Sequence, residues 1–451
     1  MSTMKPSLPK GTRDFGPEKM QKRNFIFSQI REVFQLYGFL PLETPAMENL
    51  SVLTGKYGDE GDQLLFKVLN SGEYLKKTQV SDYEEGEKQM LPLISEKGLK
   101  YDLTVPFARY VVMNRNDITF PFKRYQMQPV WRADRPQRGR YREFYQCDAD
   151  VIGTDSLVCE TDIVSMINDV FQRLGLLDFT IKYNNRKILS GIAEALGHPS
   201  AEGPLCVAID KLDKIGLDKV LEELGTAGFE DAALAQLRPI LDSSGPSDYL
   251  KNLLLNSEIG KQGLEEVEQL QSMISTIGDD LHAEFDPTLA RGLSYYTGSI
   301  FEVKINNIKM GSVCGGGRYD NLTGIFGLEG VSGVGISFGV DRLYDVMEEL
   351  ELFPADQTTS TQVLISTFDE TSRKAGLKLL SQLRKQGFNS ELYPDFGKMK
   401  KHFQYADKKN IPFVVIIGSE ELEKGLFSLK EMSTGEQQQL DQDHLLKRLK
   451  K

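Results

Sequence analysis

Residues Tyr125 to Gly153 read YQMQPVWRADRPQRGRYREFYQCDADVIG, and this stretch says most about the fold. Two runs rich in aromatic and branched residues flank a polar segment, Ala133 to Gly139. That pattern predicts an antiparallel hairpin with a long loop. Five arginines fall within eleven residues, against the acidic background of the chain: Arg132, Arg135, Arg138, Arg140 and Arg142.

Side chains alternate between the two faces of a strand. If the second arm is a strand, one face carries guanidinium groups at one end and an amide and carboxylates at the other: Arg140, Arg142, Phe144, Gln146, Asp148 and Asp150. Such a face suits a polyanion beside a small cationic or polar group. The alternative is a solvated hairpin whose arginines pair with surface carboxylates.

Length and charge limit the possible functions. A chain of 451 residues predicts two to four domains. The net charge of −11 argues against a general nucleic-acid coat. Residues 361–451 carry a balance of +4 and the rest of the chain −15, so the C-terminal fifth fits a phosphate-contacting module.

The four cysteines and four histidines are scattered, so no zinc cluster, disulfide framework or other protein-bound metal cluster is predicted. The N-terminus lacks an apolar leader, and no apolar run approaches eighteen residues. The protein is therefore expected to be cytoplasmic, with no membrane contact.

The first hundred residues predict a helix, an edge strand and a corner. Apolar residues recur at helical spacing from Lys19 to Tyr37, and the strand FLPLETPAM follows. Its prolines place that strand at a sheet edge. After a strand near 64–68 and an exposed, mobile insertion at 73–89, strand 99–103 leads to Thr104, a predicted helix N-cap. Asp102 and Thr104 would lie together at this strand–helix corner.

Three further segments carry chemistry. FDPTLARGLSYYTGSIFEV contains Arg291 and adjacent tyrosines, and GSVCGGGRYDNL contains three consecutive glycines. Those glycines permit either a turn with positive φ or a close approach of the backbone to a ligand. In GVSGVGISFGVDRLYDVMEEL, a strand with small residues on one face precedes a helix at 340–350, so Arg342 and the helix N-terminus could meet a phosphate.

Residues 186–280 are mostly helical in pattern, and a helix at 154–174 could be capped by Thr154 or Asp155. Beyond a linker, 353–361, strands alternate with helices, which predicts an α/β domain with several parallel strands. Its basic helix at 398–409 offers candidate phosphate contacts, or simply a solvated face: Lys398, Lys400, Lys401, Lys408 and Lys409.

Together these segments resemble the class II aminoacyl-tRNA synthetases, and most closely the histidyl-tRNA synthetase family. The hairpin resembles motif 2, the helix and strand at 19–47 motif 1, and the strand and helix at 333–350 motif 3. KGTRDFGPE, DLTVPFARY, RGLSYYTG and GSVCGGGRYDNL are similar to segments of the histidyl family in particular. The resemblance covers nearly the whole chain.

The resemblance implies an α+β catalytic core, a class II antiparallel sheet flanked by helices, with a helical insertion and a C-terminal α/β anticodon-binding domain. The expected boundaries are 1–185 and 281–352 for the two parts of the core, 186–280 for the insertion, 353–361 for the linker and 362–451 for the anticodon-binding domain. It also implies a homodimer, and an insertion that embraces the acceptor arm of tRNA.

The implied reaction is ATP-dependent ligation of L-histidine to tRNA(His) through a histidyl-adenylate, with Mg²⁺ bound to the ATP phosphates. By this resemblance Arg132 and Arg291 would face the α-phosphate and the substrate carboxylate, and Arg342 the γ-phosphate. The remaining ATP contacts would be Arg140 and Glu143, the latter at adenine. The tRNA acceptor stem would meet Arg135 and Gln137.

Histidine would be held by residues of three segments: Asp102, Leu103, Thr104, Arg132, Gln146, Asp150, Arg291, Tyr295 and Tyr296. Ser294 stands where the family more often has an acidic residue, and it is left out of the expected site. The alternatives are a catalytically inactive regulatory paralogue that binds histidine and a plain RNA-binding protein. Such paralogues usually lack the anticodon-binding domain and the catalytic arginines, which this chain has.

Overall fold

The computed structural model describes residues 5–242, 248–278, 281–291, 295–354 and 361–450, without the side chains of 58–60. The chain divides into two compact units. Unit 1 comprises Met1–Arg13 and Ile26–Leu352, and unit 2 comprises Asp14–Phe25 and Phe353–Lys451. The helical residues 186–280 thus fall in unit 1, together with most of the residues predicted to form the catalytic core. None of the described helices is long and apolar enough to cross a membrane.

The first half of the chain alternates helices with short strands before the long hairpin. Its elements are α1 Pro17–Leu36, β1 Leu40–Pro41, β2 Met47–Asn49, α2 Leu50–Leu53, α3 Gly58–Gln63, β3 Lys67–Val68, α4 Val80–Glu84, α5 Glu87–Ile94, β4 Lys97–Leu99, α6 Thr104–Met113, β5 Phe122–Trp131, β6 Glu143–Ile152, α7 Val158–Arg173 and β7 Phe179–Asn185. The insertion predicted at 73–89 is largely exposed, as expected, and it includes α4 and the start of α5.

The next hundred residues are helical, as predicted, and strands return after them. The helices are α8 Arg186–Ala195, α9 Glu202–Ile209, α10 Leu212–Ile215, α11 Leu217–Thr226, α12 Asp231–Leu241, α13 Asp248–Leu253 and α14 Glu258–Ile277. The elements that follow are β8 Ala283–Phe285, β9 Ser299–Ile305, β10 Cys314–Tyr319, β11 Gly333–Gly339 and α15 Val340–Glu349. Helices α8 and α14 lie so close together that a Cβ on Gly191 would stand only 2.5 Å from the Gly260 Cα.

Unit 1 is built on an eight-stranded sheet in the order β1-β5-β6-β11-β10-β9-β7-β8. Its six central strands pair antiparallel, and the short edge strands β1 and β8 pair parallel to their neighbours. Pro41 lies in β1, at the edge where a residue without an N–H is tolerated. The predicted class II sheet flanked by helices is confirmed.

The central hairpin has the predicted arms but a longer loop. Strands β5 and β6 pair from Phe122 opposite Ile152 to Trp131 opposite Glu143. The loop therefore spans 132–142, and Arg140 and Arg142 lie in it rather than in the second arm. The reason is local: the Gln137 and Arg140 backbones bond to each other at 3.1 and 2.9 Å, and the Arg142 N–H donates to the Gly11 carbonyl at 2.9 Å.

The three consecutive glycines form the middle of a strand rather than a turn. They pair with β9 on one side and β11 on the other. A Cβ on Gly316 would lie 2.0 Å from the Gly335 carbonyl oxygen. The predicted turn is therefore wrong, and close packing against the neighbouring strand leaves no room for a side chain at Gly316. The second option, close approach of the backbone to a ligand, stays a prediction.

Two predicted helix caps are wrong. Thr104 is the first residue of α6, and the Asp102 carboxylate accepts the Val105 N–H at 3.2 Å instead. The preceding strand is also shorter than predicted and ends at Leu99. Helix α7 begins three residues after Asp155, behind Leu157, which makes no side-chain cap. Both errors come from assigning a cap by residue type at a corner where several polar residues follow one another.

The main part of unit 2 is the predicted α/β fold. Its elements are β12 Val363–Thr367, α16 Glu370–Lys385, β13 Ser390–Leu392, α17 Met399–Lys408, β14 Phe413–Ile417, α18 Ser419–Lys424, β15 Phe427–Glu431, β16 Gln437–Leu440 and α19 Gln442–Leu449. The sheet order is β13-β12-β14-β15-β16. The first three strands are parallel, and β15 and β16 form an antiparallel hairpin. Most of the predicted linker, 355–360, lies outside the described residues.

Candidate active site

A cavity of about 1090 Å³, including its open mouth, lies against the central sheet of unit 1. Strand β6 contributes Phe144, Gln146, Asp148 and Asp150, the alternate residues that the strand period predicts to share a face. Strands β10 and β11 contribute mostly glycine and other small residues to the wall. The sheet therefore gives the cavity one wall with few large side chains, from β10 and β11, beside a polar wall from β6.

The structure brings most of the predicted site residues to this cavity. Those that line it are Asp102, Thr104, Arg132, Arg140, Gln146, Asp150, Arg291, Tyr295, Tyr296 and Arg342. Leu103 is fully buried, and its carbonyl accepts from Arg124 at 3.4 Å. Arg135 and Gln137 are exposed on the hairpin loop. Ser294 lies outside the described residues.

Glu143 occupies the opposite face of β6 from the polar wall. Its side chain is exposed, and its carboxylate accepts the Trp131 Nε1–H at 2.8 Å. This position follows from strand alternation, since Glu143 precedes Phe144, which lines the cavity.

Four arginines line the cavity: Arg140 lies on the hairpin loop, and Arg132, Arg291 and Arg342 reach the cavity from separate elements. Arg132 follows β5, where its Nε donates to the Tyr101 carbonyl at 3.0 Å and its guanidinium lies 4.3 Å from the Tyr101 ring centre. Arg342, in the first turn of α15, donates to the carbonyls of Gly139, at 2.8 Å, and Ser312. Backbone carbonyls thus fix these two guanidinium groups in place, and neither group forms an ion pair with a carboxylate among the described residues.

Arg291 is seated against the glycine strand. Its Nη1 donates to the Phe301 carbonyl at 3.2 Å, and its buried Nε has no partner among the described residues. A Cβ on Gly315 would lie 2.1 Å from that Nη1. Glycine at this position is therefore what leaves room for the guanidinium.

The lowered pKa of Arg342 shows that positive charge is clustered at this end of the cavity. Burial lowers its pKa first, and the neighbouring charges of Arg140 and Arg132 lower it further. Guanidinium groups that repel one another in a partly dry cavity are stabilised by an anion with several oxygens. A triphosphate or a carboxylate beside a phosphate fits this end of the cavity.

The opposite end of the cavity is acidic. Asp102 is buried, and it accepts the Tyr57 hydroxyl at 3.1 Å and the Tyr295 hydroxyl at 3.4 Å. Burial raises the pKa of Asp102, while the Val105 N–H and Arg132 lower it. The carboxylate is thus held between a helix start and two tyrosines.

Asp150 is held by two residues that the sequence did not single out. The buried Arg124 forms an ion pair with its Oδ2 at 2.9 Å, and Tyr319 donates to its Oδ1 at 2.6 Å. A Cβ on Gly335 would lie 2.1 Å from Asp150 Oδ1, so this glycine also makes room for a site side chain. Burial raises the pKa of Asp150, and Arg124 and Tyr319 oppose that rise.

Asp148 is a further cavity residue outside the predicted set. It is 2% exposed, and burial, the largest cause, raises its pKa to about 7. Gln146 Nε2 donates to the Ser337 hydroxyl at 2.6 Å, beside Asp148. The alternation of β6 did place Asp148 on the cavity face, and that was the available signal.

Comparison with known proteins agrees with this geometry. A family model described as Histidyl-tRNA synthetase matches residues 82–343, and one described as Anticodon binding domain matches 362–451. A curated Histidine--tRNA ligase of Cytophaga hutchinsonii is 60% identical over 450 residues, with 99% of both chains covered. That of Porphyromonas gingivalis is 56% identical, with 97% of this chain and 98% of the relative covered.

A solved structure agrees as well. The crystal structure of histidyl-tRNA synthetase from Nostoc sp. PCC 7120 matches with a TM-score of 0.82 at 32% identity, covering 99% of both chains. The catalytic family model spans more than half of the chain, and the relatives extend over nearly all of it. The chain belongs to the histidyl-tRNA synthetase family.

Proposed function

We propose that this chain ligates L-histidine to its cognate tRNA in two steps, through a histidyl-adenylate formed from ATP. One observation carries the proposal: four guanidinium groups and a set of buried carboxylates line one cavity. In the first step the histidine carboxylate attacks the α-phosphorus, and negative charge grows on the phosphoryl oxygens. Fixed cations directed at those oxygens stabilise that charge.

Arg132 and Arg291 are the proposed partners of the α-phosphate and the attacking carboxylate. Arg342 is the proposed partner of the γ-phosphate, with Arg140 nearby on the hairpin loop. Arginine suits these positions because its planar fork stays charged and binds oxygens in pairs. Mg²⁺ would enter with ATP, as part of the substrate.

Histidine would bind between the arginines and the acidic wall. Asp102 and Thr104 offer acceptors for the α-ammonium, while Gln146, Asp150 and the two tyrosines offer polar contacts for the rest of the ligand. A site whose buried groups hydrogen-bond the substrate discriminates strongly against apolar isosteres, because those groups would remain unpaired.

The tRNA would contact both units. The basic C-terminal unit is the proposed anticodon-binding domain, and the exposed Arg135 and Gln137 are proposed contacts for the acceptor stem.

A homodimer is also proposed. Exposed apolar side chains at the end of α1 and along the edge strand, Leu36 and Leu40, support an interface there.

The test is ATP–pyrophosphate exchange without tRNA, across a panel of amino acids. We expect exchange with histidine alone, followed by charging of tRNA(His) when that tRNA is added. A folded protein that binds histidine but supports no exchange would contradict the proposal and favour the regulatory role.

A further inference from the structure

Asp148 has an unfilled hydrogen-bond acceptor in the cavity. Its carboxylate lines the cavity but is almost fully buried. Among the described residues, no donor reaches its Oδ1, and none reaches the buried Oε1 of Gln146. A buried acceptor that is left without a donor costs about 1–3 kcal/mol, and more for a charged group. These two atoms therefore call for a ligand that donates hydrogen bonds.

The neighbouring side chains leave Asp148 Oδ1 without a donor. Ser337, directly across from Asp148 on β11, hydrogen-bonds to the carboxylate and lowers its pKa, but Oδ1 still has no hydrogen-bond partner among the described residues. Gln126 lies directly across from Asp148 on β5, but its Nε2 donates to Thr44 Oγ1 at 2.8 Å and to Gln128 Oε1. Arg124 offsets the charge of both acids, yet its hydrogen bonds go to Asp150 and the Leu103 carbonyl, and its buried Nε and Nη1 have no hydrogen-bond partner among the described residues. Both oxygens of Asp150 therefore have partners, whereas Oδ1 of Asp148 has none.

We propose that Asp148 determines specificity by accepting a hydrogen bond from a nitrogen of the bound histidine, beside Gln146. This inference rests on the proposed function and deepens it. The two acceptors stand two residues apart on one strand face, roughly 6.6 Å along the strand. Histidine carries N–H donors at both ends of a molecule of that size, on its α-ammonium and on its imidazole.

Charge supports the same assignment. Two adjacent buried carboxylates share one buried guanidinium, so this wall favours a donor-rich or cationic ligand and disfavours an anionic one. The raised pKa of Asp148 has the same origin, since burial disfavours its charge more than Arg124 and the Ser337 hydrogen bond favour it. A ligand N–H would supply the missing stabilisation.

The experiment compares wild type with Asp148→Asn and Asp148→Glu. Histidine binding is measured by calorimetry, and the KM values for histidine and ATP by exchange. We expect Asp148→Asn to weaken histidine binding about 10- to 100-fold, the usual effect of losing a hydrogen bond to a charged group, with the KM for ATP within twofold. Asp155→Asn, an exposed carboxylate just beyond β6, is the control.

Two outcomes would overturn the proposal. One is unchanged histidine affinity in Asp148→Asn. The other is an equal loss for histidine and ATP, which would indicate a purely structural role; melting curves verify that each variant folds. Failure of wild type to bind histidine would instead contradict the proposed function itself.

Ligand analogues identify the donor nitrogen. Histidinol keeps both the ammonium and the imidazole, whereas 3-(imidazol-4-yl)propionate lacks the ammonium. An effect of Asp148→Asn on histidinol alone assigns the contact to the ammonium, and an effect on both assigns it to the imidazole. Either result supports the proposal, and no effect on either analogue refutes it.

Discussion

Arg291 provides the most direct residue-level test of the catalytic arginines. Its guanidinium lines the cavity, donates to one backbone carbonyl and forms no ion pair with a carboxylate among the described residues. We expect Arg291→Ala to lower the rate of single-turnover adenylate formation by at least about 10²–10³-fold, the scale for losing one transition-state donor. ATP affinity should stay within tenfold.

The matched control is Arg238→Ala, which removes an exposed arginine that pairs with Asp218 in the helical segment. Such surface pairs contribute little, so this variant should form the adenylate at the wild-type rate. Normal single-turnover adenylation by Arg291→Ala would remove Arg291 from the mechanism.

Asp148 should make the folding stability of the ligand-free protein depend on pH. Its folded-state pKa of about 7 lies above the unfolded value of about 4, so the folded state binds more protons between these values. Stability is therefore lost as pH rises through this range. Asp148→Asn should raise the melting temperature by a few degrees at pH 8, and the gain should vanish near pH 4.

Scanning calorimetry at pH 8, 6 and 4 measures this difference. Asp395→Asn, in an exposed loop of the C-terminal unit, should melt like wild type at each pH. A lower melting temperature for Asp148→Asn at pH 8 would mean that the charged carboxylate stabilises the empty fold. That result would contradict the account of Asp148 as a group kept for its ligand at a cost in stability.

Residue roles were predictable from the sequence only where a motif carried them. Strand alternation put Asp148 on the cavity face, but nothing local distinguished an acid with hydrogen bonds to both oxygens from one whose Oδ1 has no donor among the described residues. Arg124 and Tyr319 hold Asp150 from two other strands, and such contacts between distant segments leave no local pattern. Glu143 was assigned to the ATP site by resemblance, whereas strand alternation places it on the face of β6 opposite the cavity.

At the scale of elements, the glycine strand β10 should be intolerant of side chains for a reason specific to the site. A Cβ on Gly315 would overlap Arg291 Nη1 at 2.1 Å, while the backbone there has no positive φ. We expect Gly315→Ala to fold and to lose at least about 10²-fold in adenylation, as removal of one donor does, because the guanidinium must move. Stopped-flow adenylation and thermal melting measure the two effects.

Gly203→Ala provides the control, since no described residue lies within 4 Å of the added methyl group in α9. Alanine should stabilise that helix by up to ~1 kcal/mol and leave adenylation unchanged. If Gly315→Ala is as active as Gly203→Ala, the close packing of Arg291 against β10 is not required.

Elements with a clear period were predictable, and their ends were not. The hairpin arms, α1, β11 and the strand–helix alternation of the C-terminal unit all follow apolar patterns that persist for many residues. The hairpin loop is longer than predicted because hydrogen bonds within the loop and to Gly11 replace pairing between the strands there. Helix α18 was missed because SEELEK is short and largely charged. The Gly418 N–H donates to the Glu421 carboxylate at 2.9 Å, and this capping bond helps form the helix.

For the molecule as a whole, charge is divided along the chain. The C-terminal fifth is basic and the remainder strongly acidic, so attraction for the tRNA backbone should concentrate in unit 2. Helix α17 exposes Lys400, Lys401 and Lys408, but Lys401 lies 5.8 Å from the Tyr393 ring centre, and Lys409, just beyond the helix, pairs with Glu391 at 2.8 Å. Lys400 and Lys408 are therefore the better candidates for phosphate contacts.

We expect Lys400→Glu combined with Lys408→Glu to raise the KM for tRNA(His) by about tenfold or more. The KM should also depend less on salt, because tRNA binding releases fewer counterions when phosphate contacts are lost. Histidine-dependent exchange, which needs no tRNA, should be unchanged. Lys378→Glu combined with Lys424→Glu makes the same charge change on α16 and α18 and should have a smaller effect. Equal losses in the two double variants would show that unit 2 attracts tRNA by net charge alone, without a specific surface on α17.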